Sequence, residues 1–213
     1  MIDLHGISQA AFDLIVNSEV SSRATYEKNY RRPELPGGQS GITVGIGYDC
    51  GQTTAAVIRK DWQGKIPDAM VDALCATAGL KAGRAQAILA KVRATVDVPW
   101  GAAVDVFSNV SIPKYLAFTR GGLPNFDELP PDCKGVLLSL VYNRGASFSQ
   151  PGPRYLEMRN IKALMAARKY AAIPNELRKM KRLWTTPSVR GVAVRRDVEA
   201  RLFEQGLNAA KAA

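Results

Sequence analysis

The chain has little with which to hold a metal and no run long enough to cross a bilayer. Of 213 residues one is histidine, His5, and three are cysteines. Cys50, Cys75 and Cys133 are scattered without Cys-x-x-Cys spacing, which argues against a zinc site and leaves reduced thiols. Cys75 and Cys133 fall in apolar helical stretches and read as core. Cys50 either packs or reacts. No apolar stretch approaches the ~18 residues of a membrane span. The longest, Gly135 to Tyr142, reads as a buried helix. The opening MIDLHGISQAAFDLIVNSE has no basic segment, and Asp13 interrupts its apolar part. No secretory signal is read there. The expectation is a chain made in the cytoplasm that reaches an outside target only after another system opens the membrane.

What is present is ordinary for a globular protein: 46% hydrophobic and 23% charged residues, without repeats or low-complexity segments. The length suits one domain or two small lobes. The net charge is +10, which favours polyanions: nucleic acid, anionic lipid or a bacterial wall. Much of it lies late. Arg178, Lys179, Lys181, Arg182, Arg190, Arg195, Arg196 and Arg201 fall within 24 residues. They read either as a surface for an anionic envelope or as solvated faces and internal ion pairs.

Ser8 caps a first helix predicted to run to Asn17 or Glu19, with Ile7, Ala11, Leu14 and Ile15 on one stripe. Glu19 lies on the edge of that stripe, where partial desolvation favours the acid form a proton donor requires. Ser21 to Ser40 reads as a polar loop, in which Tyr26 and Tyr30 either pack or stack on a sugar. Arg31 and Arg32 either hold a substrate carboxylate or face solvent. Ile42, Val44 and Ile46 alternate with Thr43, Gly45 and Gly47, predicting a strand with one apolar face and one face open to a sugar ring. Helices are predicted between 53 and 110, including Ala82 to Ala94, and another begins at Ile112. A central apolar helix is predicted from Asp132 to Asn143. Asn143 either ends it or binds a ligand through its amide. Basic helices follow at Asn160 to Tyr170 and Asn175 to Leu183. A last helix runs from about Val189 to Glu204, ahead of a frayed tail.

Glu19-x(23)-Thr43-x-Gly45-x-Gly47-x-Asp49 resembles the active-site signature of the phage lysozymes, glycoside hydrolase family 24, and its pesticin branch in particular. In the commoner phage pattern the aspartate lies about nine residues after the glutamate; here Lys28 stands there, and Asp49 is the replacement. The stretches Asp132–Gly145 and Leu183–Gly206 resemble the family's central and closing helices, in the family's order.

The resemblance implies an α+β, mainly α, lysozyme-like fold: one catalytic domain over 1–213, with helix and hairpin in 1–60 and a helical lobe in 61–207. It implies a monomeric inverting muramidase that cleaves the β-1,4 bond between N-acetylmuramic acid and N-acetylglucosamine in peptidoglycan, without metal or organic cofactor. Glu19 would be the proton donor. Asp49 would activate water or stabilise positive charge, and Thr43 would hold the water. Tyr26, Gly45, Gly47 and Asn143 would contact substrate. Should Asp49 not serve, Glu27 or Glu34 is the next carboxylate. The implied setting is a phage endolysin; a bacteriocin or secreted effector is the other. Pesticin-type toxins carry an import domain ahead of catalysis, for which nothing before Glu19 leaves room. A different class remains: Lys162 to Leu183, two basic helices around Pro174, could imitate a nucleic-acid-reading helix-turn-helix.

Overall fold

The computed structural model describes residues 2–38, 40–187 and 190–212. It is mainly helical, with one small antiparallel hairpin, and divides into two compact units. One comprises Glu19–Ile112 together with the N-terminal residues up to Asp3. The other comprises Leu4–Ser18 and Pro113–Ala213. This is the expected α+β, mainly α class, with the hairpin in the N-terminal part and a helical C-terminal lobe. Helices that follow residue 60 group with the hairpin up to Ile112.

Helix α1, Gln9–Val20, has the expected cap: Ser8 Oγ accepts the Ala11 amide at 3.1 Å. Its last two residues, Glu19 and Val20, fall in the first unit. A second helix, α2 (Arg23–Asn29), stands where a loop was expected. Its N-cap is Ser22, whose hydroxyl accepts the Thr25 amide at 3.1 Å, and Arg23 pairs with Glu27 one turn on. The helix is short and carries one buried residue, Tyr26, so it leaves almost no hydrophobic period to read. Ser22→Ala should lower stability by about 1 kcal/mol, measured as a shift of the denaturant midpoint at constant slope.

The hairpin is β1 (Thr43–Val44) and β2 (Tyr48–Asp49), in register Thr43↔Asp49 and Val44↔Tyr48. The predicted apolar face is real, since Ile42, Val44 and Ile46 are all buried. The predicted strand is too long: Gly45 and Gly47 have positive φ and turn the chain around Ile46. Gly45 sits close to its neighbours as well, because a Cβ there would lie 3.2 Å from Trp62. Gly45→Ala therefore combines a left-handed φ with crowding and should cost roughly 1–3 kcal/mol. Thermal denaturation reads that loss. Helices α3 (Ala55–Trp62), α4 (Asp68–Cys75), α5 (Ala82–Thr95) and α6 (Trp100–Val106) complete this unit's wall, and a π-helical turn, Phe107–Ser111, follows. Cys75, expected in the core, is half-exposed. Val71 and Leu74 take the buried face of α4, and Cys75 lies one residue round the helix.

In the second unit, α7 (Ile112–Gly122) leads to α8 (Pro131–Arg144), whose buried residues run from Cys133 to Val141 with one gap. A Cβ on Gly135 would lie 2.1 Å from that of Ala11, so only glycine lets α8 approach the α1 segment this closely. Helix α11 (Arg190–Ala212) packs on α8, α10 (Ile173–Lys179) packs on α11, and α9 (Leu156–Ala166) packs on α10. Val189 lies outside the described residues. The tail expected to fray is helical to Ala212.

The late basic residues are largely engaged inside this unit. Arg178 pairs with Glu204, Lys179 with Glu176, Lys181 with Asp197 and Arg182 with Glu157. Arg195 and Arg196 are buried and share the fully buried Glu199, which also accepts the Ser139 hydroxyl at 2.6 Å. Burial pulls the Arg196 guanidinium down to about 10, with Glu199 opposing. The Trp184 ring lies 5.7 Å from the Arg196 guanidinium carbon and 5.0 Å from that of Arg144. Its π face serves guanidinium edges that have no hydrogen-bond partner among the described residues. Nor does α10 behave as a reading helix. Ile173, Pro174, Glu176 and Leu177 are buried, and it packs on α9 and α11. Of its seven residues only Asn175 and Lys179 are exposed, and Lys179 is paired with Glu176.

Candidate active site

Glu19 lies in the last turn of α1, and Thr43 opens β1 on the hairpin. The fold brings them to one cavity of about 140 Å³, lined also by Val20, Tyr30, Glu34, Pro36, Val44, Gly45 and Gly47. The glycines have no side chain to intrude, so backbone forms part of the wall, as the sequence suggested.

Three residues form a row across the short sheet. Glu34 exchanges both backbone hydrogen bonds with Thr43, at 2.9 and 2.8 Å, and Asp49 faces Thr43 from the other side in the hairpin register. Residues directly opposite one another share a sheet face, with neighbouring strands about 4.8 Å apart. Thr43 therefore stands between two carboxylates. Its hydroxyl donates to the Gly41 carbonyl at 3.3 Å, which leaves oxygen lone pairs to accept from water.

Asp49 and Glu34 differ in what holds them. Asp49 Oδ1 accepts the amides of Gly41 at 3.1 Å and Gly51 at 2.8 Å. It caps the 3₁₀ turn Cys50–Gln52 and is not among the residues lining the cavity. Glu34 lines the cavity, and its carboxylate has no hydrogen-bond or ion-pair partner among the described residues. Gly41 and Gly51 cross so closely that a Cβ on Gly41 would lie 2.4 Å from Gly51 Cα. The sequence shows two glycines ten apart but nothing that pairs them.

Tyr26 must be withdrawn as a substrate contact. It is fully buried, donates its hydroxyl to the Val98 carbonyl at 2.9 Å, and meets Trp100 edge-on at 5.2 Å. Burial raises its phenol well above the usual range. Tyr30, four residues on, lines the cavity instead. Asn143 is exposed near the end of α8 and belongs to the other unit. Cys50 is fully buried, and burial pushes its thiol up to about 12, so it packs rather than reacts. Tyr48 donates to Asp61 at 2.7 Å and packs edge-on against Trp62, fixing the far side of β2. Among the described residues no cluster of three His, Cys, Asp or Glu could hold a metal ion, and no helix is long and apolar enough to cross a membrane.

Comparison with curated proteins finds no match. Among solved structures the chain is similar to the crystal structure of the active form of P1 phage endolysin Lyz. The two are 18% identical, with a TM-score of 0.49, over 94% of this chain and 86% of that one. A family model described as "Pesticin: Bacterial toxin homologue of phage lysozyme, C-term" matches residues 9–162, a span that contains the cavity and both carboxylates beside Thr43. By that match over most of its length, the chain belongs to the pesticin family of phage-lysozyme homologues.

Proposed function

We propose that this protein is a peptidoglycan hydrolase that cleaves the β-1,4 bond between N-acetylmuramic acid and N-acetylglucosamine, acting as one catalytic domain over its whole length. The observation that carries the reading is the meeting of Glu19, Thr43 and the glycine-walled hairpin in a single cavity. Glycoside hydrolysis needs an acid to protonate the leaving oxygen and a carboxylate on the far side to activate water or stabilise positive charge. Glu19 is the acid. Thr43 holds the water through its oxygen lone pairs. Asp49 is the second carboxylate, oriented by the Gly41 and Gly51 amides, and Glu34 is the neighbour that would take the role if Asp49 serves only to close the hairpin. An inverting displacement would need the two carboxyl groups about 6.5–9.5 Å apart, with the water held between them at Thr43. The pesticin-family membership supports the same chemistry. The test is mass analysis of fragments released from purified peptidoglycan: new reducing-end muramic acid is expected. Anhydro-muramic products, or no release at all, would overturn the assignment. Use as a phage endolysin is one setting and a bacteriocin or secreted effector is the other, and the genes beside this one distinguish them.

A further inference from the structure

The first unit carries a second, more open cavity of about 270 Å³, lined by residues of α2, the segment after it, and the C-terminal end of α5 with Asp97 beyond it. Its charges are unbalanced in a specific way. Both carboxylates on it are already engaged, Glu27 with Arg23 and Asp97 with Arg31. Lys28, Arg32 and Arg93 also line it and have no ion-pair partner among the described residues. This contrasts with the late basic stretch, where most charges are paired internally. The groove wall is fastened: the Val98 amide donates to the Arg31 carbonyl at 2.7 Å, and the Tyr26 hydroxyl donates to the Val98 carbonyl. The same short segment serves both cavities, since Tyr30 lines the one with Glu19 while Arg31 and Arg32 line this one.

We propose that this groove binds carboxylates of the peptide stems that peptidoglycan carries on its muramic acid, a proposal that rests on the peptidoglycan reading above. Guanidinium forks match planar carboxylates in two parallel hydrogen bonds, and a lysine adds a point charge. Because Tyr30 and Arg31–Arg32 are consecutive, a glycan strand seated in the Glu19 cavity would direct its stems toward the uncommitted cations Lys28, Arg32 and Arg93. The groove thus reads the peptide while the cavity reads the sugar.

The test measures binding in a Glu19→Gln background, so that the glycan survives the experiment. Glycan fragments of equal length, with and without peptide stems, are titrated by calorimetry against that protein and against the same protein carrying Lys28→Ala, Arg32→Ala and Arg93→Ala. All three side chains are exposed, and circular dichroism checks the fold. Affinity for peptide-bearing fragments should fall about ten-fold or more, with affinity for bare glycan changed less than about two-fold. Equal losses on both ligands, or no loss on either, would overturn the proposal. So would a phosphate-rich wall polymer whose binding alone depends on the three cations. Release of reducing ends from purified, peptide-bearing peptidoglycan by the unmodified enzyme is scored separately. Its absence would sink the hydrolase reading while the stem preference still stands or falls by the titration.

Discussion

Glu19→Gln is expected to reduce release of reducing ends from purified peptidoglycan by about 100-fold or more, with the melting temperature nearly unchanged. The amide keeps the shape of the side chain in the last turn of α1 but cannot deliver a proton to a leaving oxygen. Glu19 is half-buried at the helix end and lines the cavity together with Thr43, so the substitution alters chemistry at the wall and little packing. Activity within a few-fold of the unmodified protein would remove Glu19 from the role.

The second large effect is expected at Asp49, and the geometry separates its two possible jobs. Its Oδ1 accepts two backbone amides, and an asparagine carbonyl oxygen can accept both. Asp49→Asn should therefore preserve the hairpin and lose activity by about 100-fold. Asp49→Ala should lose activity and stability together, since two amides are left without an acceptor, at about 1–3 kcal/mol each where buried. Glu34→Gln should be the milder change, and Lys28→Ala nearly silent on bare glycan turnover. The reverse order, with Glu34→Gln severe and Asp49→Asn mild, would make Glu34 the second carboxylate and Asp49 a clamp. Steady-state rates on one soluble glycan, paired with thermal melts, decide between them.

The helices were legible wherever an apolar stripe was long, as in α1 from Ser8 and in α8, where Gly135 to Val141 is almost continuously apolar. Helix α2 was not, because seven residues with one buried side chain carry no period to count. The motif residues Glu19, Thr43, Gly45 and Gly47 were visible as a spacing, and folding brings those four to one cavity. Glu34 had weaker support, since its place beside Thr43 depends on an isolated bridge across an eight-residue excursion that leaves no alternation. Tyr26 and Tyr30 looked alike in sequence. One hydrogen bond to Val98 and the edge of Trp100 put the first in the core and left the second at the cavity. The basic C-terminal stretch left two readings open for a related reason: charge along a chain is visible, but partners such as Glu157, Asp197 and Glu204 approach only through folding.

The crossing of Gly41 and Gly51 sets where this part of the gene can change length. The two backbones touch, and one carboxylate oxygen ties both amides, so the intervening segment is a closed ring with no slack. Adding or removing a residue between them would slip the Thr43↔Asp49 register and turn a carboxylate away from the threonine. The exposed turn at Gly37–Gly38 just upstream lies outside that ring, and a side chain added there would meet nothing within 4 Å. Natural or engineered insertions should accumulate there and stop short of Gly41.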